Sequence, residues 1–238
     1  MAPNDAAVAL HLSTALDPAG FPPQIAWDSA APVTFDADWQ GKNADPQRQT
    51  EVRLLWTPET LFLRFRCYFR TLTVFPADDP HAVPSGRFWQ LWDRDVAEAF
   101  LQPDPALPER YFEFEVSPNG LWIDLDIRAG EKLDPHSGLK RRVSQGACKK
   151  IWVAELAIPM RSLISTFDPA ATWRANFFRC EGATEPRFYS AWRATHTPQP
   201  NFHVPAAFGK LGFVGSSGSR AETEAFQKAA LRTLNRDS

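Results

Sequence analysis

The segment Trp89-Gln90-Leu91-Trp92-Asp93-Arg94-Asp95-Val96-Ala97-Glu98-Ala99-Phe100-Leu101 holds the residue types and spacing that point most directly to chemistry. Two tryptophans stand before an otherwise apolar run that carries one acid, Glu98. A second stretch of the same kind is Phe188-Tyr189-Ser190-Ala191-Trp192-Arg193-Ala194-Thr195. Flat aromatic rings suit the C–H faces of a pyranose, and carboxylates, Arg and amides suit its hydroxyls. A sugar site combines such an apolar platform with a few placed polar groups. Arg179 and His203 are further polar candidates for lining it. The acids Asp95, Glu98, Glu113 and Glu115 also allow a different chemistry. Two of them acting as acid and base of a glycoside hydrolase would have to stand about 5–5.5 or 6.5–9.5 Å apart across a cleft. Glu113 and Glu115 share one strand face, which puts their side chains about 7 Å apart. Each candidate has a structural alternative: Asp95 ordering the start of its strand, Glu98 pairing with Arg179, the tryptophans filling the core. Packing is the expectation for Trp56, Trp122, Trp152 and Trp173, and for Cys67 and Cys180 as small core residues.

Other chemistries lack their signatures. The chain has no GxSxG elbow, P-loop, HExxH or EF-hand loop, and its five histidines are scattered over loops. With 26 basic against 28 acidic side chains there is no electrostatic basis for gripping nucleic acid. No window approaches the roughly 18 consecutive apolar residues of a membrane helix, so neither nucleic acid nor membrane is an expected partner. Cys67, Cys148 and Cys180 cannot all pair within the chain, and no CxxC spacing suggests structural zinc. The segment Met1-Ala2-Pro3-Asn4-Asp5 and the interrupted run after it do not read as a secretory signal. A cytoplasmic chain is the expectation as written, and a secreted or periplasmic one if the true start lies upstream. The composition is unusual in its nine Trp and 13% aromatic residues, more than a core of this size requires.

The elements that must position these residues are strands. Val52 to Trp56, Leu61 to Phe69, Val96 to Leu101, Tyr111 to Val116, Leu121 to Arg128, Ile151 to Ile158, Trp173 to Arg179, Phe188 to Thr195 and Leu211 to Val214 carry the signal. In the Leu121 strand, the branched residues are expected to face in and Asp124, Asp126 and Arg128 out. Short strands between Pro- and Gly-rich turns predict an all-β fold, an antiparallel β-sandwich or jelly-roll-like domain. The expected division is an N-terminal extension over 1–24, one domain over 25–215 and a short C-terminal α-helix over 219–236. Ser219 and Glu222 would cap that helix. Lys140-Arg141-Arg142, with Lys149-Lys150, reads as a solvated hairpin or loop.

An ordered series of motifs resembles the family 9 carbohydrate-binding modules and the wider group of DOMON-like β-sandwiches. A Trp-x-x-Asp-x-x-Glu pattern is met by Trp92, Asp95 and Glu98. Arg53-Leu54-Leu55-Trp56, Tyr111 to Gly120, Trp152 to Pro159, Trp173 to Arg179, Ala191-Trp192 and Asn201-Phe202-His203-Val204-Pro205 follow in order. The resemblance implies non-catalytic binding of a mono- or oligosaccharide, at the end of a glucan or xylan chain, clamped between Trp92 and Trp192. Glu98 would hydrogen-bond the ring, with Asp95, Glu113, Tyr189 and Arg179 around it. Structural calcium is a further implication, although Asp93, Asp95 and Asp126 do not assemble the six to eight oxygens it takes. The sequence departs from the family pattern by carrying Glu113 where the family has Arg and Tyr189 where it has Asn. Those departures keep a scaffold that has lost sugar binding as the alternative, with a glycoside hydrolase behind it. A haem-binding electron-transfer domain, found in related sandwiches, would have to use Met160, the only internal methionine.

Overall fold

Side chains that alternate between two apolar faces make strands that can be buried on both sides, and this chain is built almost entirely of them. The computed structural model describes residues 5–76, 79, 83, 85–146 and 150–215. The strands are β1 (Ala6–His11), β2 (Val33–Phe35), β3 (Thr50–Thr57), β4 (Thr60–Tyr68), β5 (Val96–Gln102), β6 (Arg110–Val116) and β7 (Trp122–Arg128). They continue as β8 (Glu131–Leu133), β9 (Lys140–Gly146), β10 (Ile151–Pro159), β11 (Trp173–Glu181), β12 (Phe188–Ala191) and β13 (Gly209–Val214). Two short helices, α1 (Gln24–Ser29) and α2 (Met160–Leu163), lie outside the sheet.

Hydrogen bonds join the strands in the order β8-β7-β6-β5-β11-β13-β1-β3-β4-β10-β9, with β12 on β11 and β2 on β3. The sheet curls until its two halves face each other. Phe65 of β4 meets Phe177 of β11 at 6.2 Å between ring centroids. Arg179 of β11 lies over Trp152 of β10. Between the halves lies the main core, fed by Leu61, Leu63, Phe65 and Cys67 of β4, Ala97, Ala99 and Leu101 of β5, and Trp173, Ala175 and Phe177 of β11. Fully burying one such large apolar side chain stabilises the fold by roughly 1.5–3 kcal/mol. A second cluster covers the opposite face of β5, β6, β7 and β11, with Phe100, Tyr111, Ile123 and Phe178. A third packs Phe21 and Trp27 against Leu55 and Phe62 on the outside of the other half.

The nine expected strands are present, except that the one expected over Phe188 to Thr195 ends at Ala191, and the turns between them have the expected chemistry. Thr57 Oγ1 accepts from the backbone N–H groups of Glu59 and Thr60, closing the β3–β4 hairpin. Gly120, at φ +86°, supplies the left-handed residue of the Ser117–Gly120 turn.

Several expectations are corrected. Residues 6–11 are no extension: β1 sits mid-sheet, parallel to both β13 and β3, so the sheet is mixed rather than antiparallel. Ala6 to Ala9 are buried on both faces, which erases the alternation that would mark a strand in sequence. Asp124 and Asp126 do not face solvent. Asp124 is buried and accepts from Ser137 Oγ (2.6 Å) and Arg87 Nε (3.1 Å). Asp126 is gripped by Arg110 and Arg128. Lys140–Arg142 opens the edge strand β9, where Arg141 lies over Trp122 and donates to the carbonyl of Gly120, and Arg142 pairs with Asp17 and Glu155. The expected C-terminal helix and Cys148 lie outside the described residues.

Candidate ligand-binding cavity

Strand parity decides which polar side chains can reach a ligand. On β5, Ala97, Ala99 and Leu101 enter the main core, so Glu98 and Phe100 point to the opposite face. On β6, Phe112, Phe114 and Val116 go inward, and Tyr111, Glu113 and Glu115 go outward. Register aligns the two strands with Glu98 opposite Glu115 and Phe100 opposite Glu113. On β11, Phe178 and Cys180 share that outward face. The result is a cavity of about 430 Å³ whose floor is Glu98, Phe100, Glu113, Glu115 and Cys180. Its walls are Trp92 and Asp93 before β5, Lys132 of β8, the Glu185–Tyr189 segment and the Pro200–His203 segment.

The walls are held by polar contacts. Arg187 Nη2 donates to the carbonyls of Trp92 (2.7 Å) and Arg94 (3.0 Å), fixing the tryptophan-bearing turn. Tyr189 Oη donates to Glu185 Oε1 (2.6 Å) and accepts from Arg187 Nη1 (3.3 Å). Lys132 Nζ lies 4.3 Å from the Trp92 ring centroid, and Trp89 meets Trp92 edge-on. Phe202 stacks on Phe178 at 4.1 Å. Tyr111 Oη and His203 Nδ1 are 2.7 Å apart, and His203 Nε2 is 4.0 Å from Glu113 Oε2.

The floor is strongly acidic. One oxygen from each of Glu98, Glu113 and Glu115 lies within 4.8 Å of the others, and all three side chains are buried. Burial, and then the Glu113 carboxylate, push Glu98 up to about 8. Burial, Glu98 and Glu113 hold Glu115 well above the usual carboxylate range. Cys180 Sγ lies 3.4 Å from Glu98 Oε1, and burial raises its thiol, so it stays protonated. Burial lowers His203 and favours its neutral imidazole.

Of the residues expected at the site, the structure brings together Trp92, Glu98, Glu113, Tyr189 and His203. Asp95, Arg179 and Trp192 lie on the other side of the sheet. Tyr189 and Ala191 of β12 align with Cys180 and Phe178 on the cavity face, so Trp192 turns inward. Its ring stacks on Phe177 at 5.4 Å in the main core, beneath Gly209. Trp92 and Trp192 therefore do not face each other across a ligand. Arg179 is fully buried, with Nη2 3.4 Å from Glu181 Oε2 and 3.8 Å from Asp95 Oδ2, and it donates to the Tyr68 carbonyl. It does not pair with Glu98, because residues of opposite parity cannot meet through the sheet. Asp95 accepts from the Gly182 N–H at 2.6 Å, the strand-ordering role. Asp95 and Asp126 both hold arginines, which leaves Asp93 alone of the three acids weighed for calcium on the cavity wall. The sequence reading missed Lys132, Glu185, Arg187 and Phe202, which stand in loops or on a three-residue strand with no period to read. It did contain a signal for the floor: acids at alternate positions of Tyr111-Phe112-Glu113-Phe114-Glu115-Val116, inside an otherwise apolar run.

Comparison with known proteins agrees with this architecture. A model of carbohydrate-binding family 9 matches residues 136–213, the stretch that supplies Cys180, Arg187, Tyr189, Phe202 and His203 to the cavity. Over 226 residues the chain is 26% identical to a protein of Arthroderma benhamiae named "Extracellular protein", covering 87% of this chain and 96% of that one. A protein of Bacteroides uniformis, described provisionally as carbohydrate-binding, has a similar fold, with a TM-score of 0.67 at 18% identity, over 88% of this chain and 99% of that one. A family 9 module of Caldicellulosiruptor kristjanssonii, solved in complex with cellotriose, aligns with a TM-score of 0.63 at 14% identity, over 90% and 96% of the two chains. Over residues 136–213 the chain is therefore similar to carbohydrate-binding family 9, and its fold is that of solved family 9 modules.

Proposed function

We propose that this protein binds carbohydrate non-catalytically in the cavity over β5, β6 and β11, with one sugar unit seated against Trp92. The observation that carries this reading is the cavity itself, which pairs an aromatic wall with buried carboxylates able to accept hydroxyl hydrogen bonds. Trp92, Tyr189 and Phe202 supply apolar surface; Glu98, Glu113, Asn201 and Lys132 supply polar groups. Strands close the floor and chain segments wall the sides, a shape suited to a free sugar or a glucan or xylan chain end. The family match and the cellotriose complex of a protein with the same fold support the ligand class. Trp192 supports the floor from below and makes no direct contact in this account.

Hydrolysis fits less well. A hydrolase places its acid and its base or nucleophile about 5 Å or more apart on either side of the bond. Here three carboxylates crowd one floor within 4.8 Å, with no space between them for a sugar. The scaffold alternative draws on one observation: the Tyr189 hydroxyl, standing where the family has Asn, is engaged by Glu185 and Arg187. The similarity to a protein named as extracellular supports a secreted placement over a cytoplasmic one.

Calorimetric titration with glucose, xylose, cellobiose and xylobiose tests the proposal. Binding of at least one sugar by the parent, weakened in both Trp92→Ala and Glu98→Gln, is expected. No heat from any of them at millimolar concentration would remove these ligands and favour the scaffold.

A further inference from the structure

We propose that Glu98, Glu113 and Glu115 bind one divalent metal cation in the cavity floor. The three glutamates come from adjacent antiparallel strands, two of them directly opposite in register. One oxygen from each lies within 4.8 Å of the others. Oxygens about 2.0–2.6 Å from a single ion stand at most about 5 Å apart, so one cation touches all three without backbone movement.

A second observation is independent of this spacing. Glu115 is fully buried, and neither of its carboxylate oxygens has a hydrogen-bond donor; Glu113 Oε2 is likewise buried without one. Glu98 and Glu113 face the Glu115 carboxylate and outweigh the charge of Lys132 that also acts on it. Buried carboxylates are ordinarily paired with cations or bound to metals. The cationic side chains of the cavity act on the floor only without direct contact: Lys132 lies over Trp92, and Arg187 holds the Trp92 and Arg94 carbonyls. Among the described residues no Lys or Arg forms an ion pair with any of the three glutamates; the one basic side chain within 4.0 Å of them is the neutral imidazole of His203, at Glu113 Oε2.

His203 stands at the mouth of the floor, with Nε2 4.0 Å from Glu113 Oε2. With Nδ1–H donating to Tyr111 Oη, which lies 2.7 Å away, the Nε2 lone pair can accept from a water bound to the ion. Three carboxylates select an oxygen-preferring divalent ion, and the open cavity above supplies water for the remaining positions. Mn²⁺ and Ca²⁺ are the probes.

The test uses the full chain freed of metal by chelator and dialysis, titrated with MnCl₂ and separately with CaCl₂, without sugar. We expect one ion per chain for at least one of the two, with a rise in melting temperature and, for Mn²⁺, loss of the free-ion electron spin resonance signal. Glu115→Gln and Glu113→Gln are expected to bind at least tenfold more weakly and to lose the metal-dependent rise. In chelator these variants should melt within a few degrees of the parent, because Gln keeps the volume of the side chain and carries no charge into the floor. Absence of binding by the parent at millimolar metal would overturn the site, as would variants that bind like the parent. Since no sugar enters these measurements, their failure leaves the carbohydrate reading intact, and the reverse also holds.

Discussion

Truncating the two tryptophans expected to clamp a ligand separates the cavity from the core, because the sheet places them on opposite faces. Trp192 is 7% exposed and stacks on Phe177 between the two halves of the fold. Removing a buried indole leaves a large void and costs about 3–5 kcal/mol. For a domain of this size each kcal/mol shifts the midpoint by about 2–4 °C, so Trp192→Ala should melt roughly 6–20 °C below the parent. Trp92 is half-buried on the cavity wall, and its nearest cation, Lys132, contributes about 0.5–1 kcal/mol at a partly exposed site. Trp92→Ala should therefore melt within a few degrees of the parent. Its effect belongs in binding. A central aromatic contact is worth about 2 kcal/mol or more, and each 1.4 kcal/mol is about tenfold, so sugar affinity should fall by roughly 30-fold. Scanning calorimetry reads the first quantity and isothermal titration the second, with Trp192→Phe as the milder core control. The parity argument is refuted if Trp192→Ala keeps the parent's melting temperature but loses sugar, while Trp92→Ala still binds normally.

Other outcomes follow from the same structure. In the metal-free protein, Glu98 holds its proton up to about pH 8 when folded but titrates near 4.5 when unfolded. The folded state thus binds the extra proton across that window, and stability should fall by a few kcal/mol as pH rises from about 4.5 through 8. Glu113, Glu115, Cys180, Lys132 and Arg187 act on the same group, and Glu98→Gln should flatten the profile of urea midpoint against pH. Gly209→Ala would place a Cβ 2.6 Å from Trp192 Cη2 and 2.9 Å from the Asp5 carbonyl, and should destabilise by about 1–3 kcal/mol in urea unfolding. Arg179→Met leaves Asp95 and Glu181 buried without their cation, so a loss of about 3–5 kcal/mol is expected while sugar affinity measured on the folded fraction is unchanged.

Much of the fold was legible in the sequence because most strands expose their period. Leu61, Leu63, Phe65 and Cys67 enter the core as their alternation requires, and Trp56, Trp152 and Trp173 pack there as expected. What was illegible has physical causes. β1 is small and apolar on both faces, so no alternation shows that it is a central strand. β8 is too short to display any period. Asp124 and Asp126 looked solvent-facing because sequence does not show arginines converging from β6, from β7 itself and from the loop before β5. The candidate site divided along the same line. Trp92, Glu98, Glu113 and Tyr189 share one face. Motif order grouped Asp95, Arg179 and Trp192 with them, yet each sits one residue out of phase with a cavity-facing neighbour. Counting parity from Val96, Cys180 and Ala191 would have separated them, provided the facing strand were known.

The central claim, sugar seated against Trp92 over the glutamate floor, is tested most directly by a crystal structure of the protein grown with saturating cellobiose. The account predicts a ring against the Trp92 face with a hydroxyl within hydrogen-bond distance of Glu98 or Glu113. Sugar ordered on another surface, with this cavity holding only water, would contradict it.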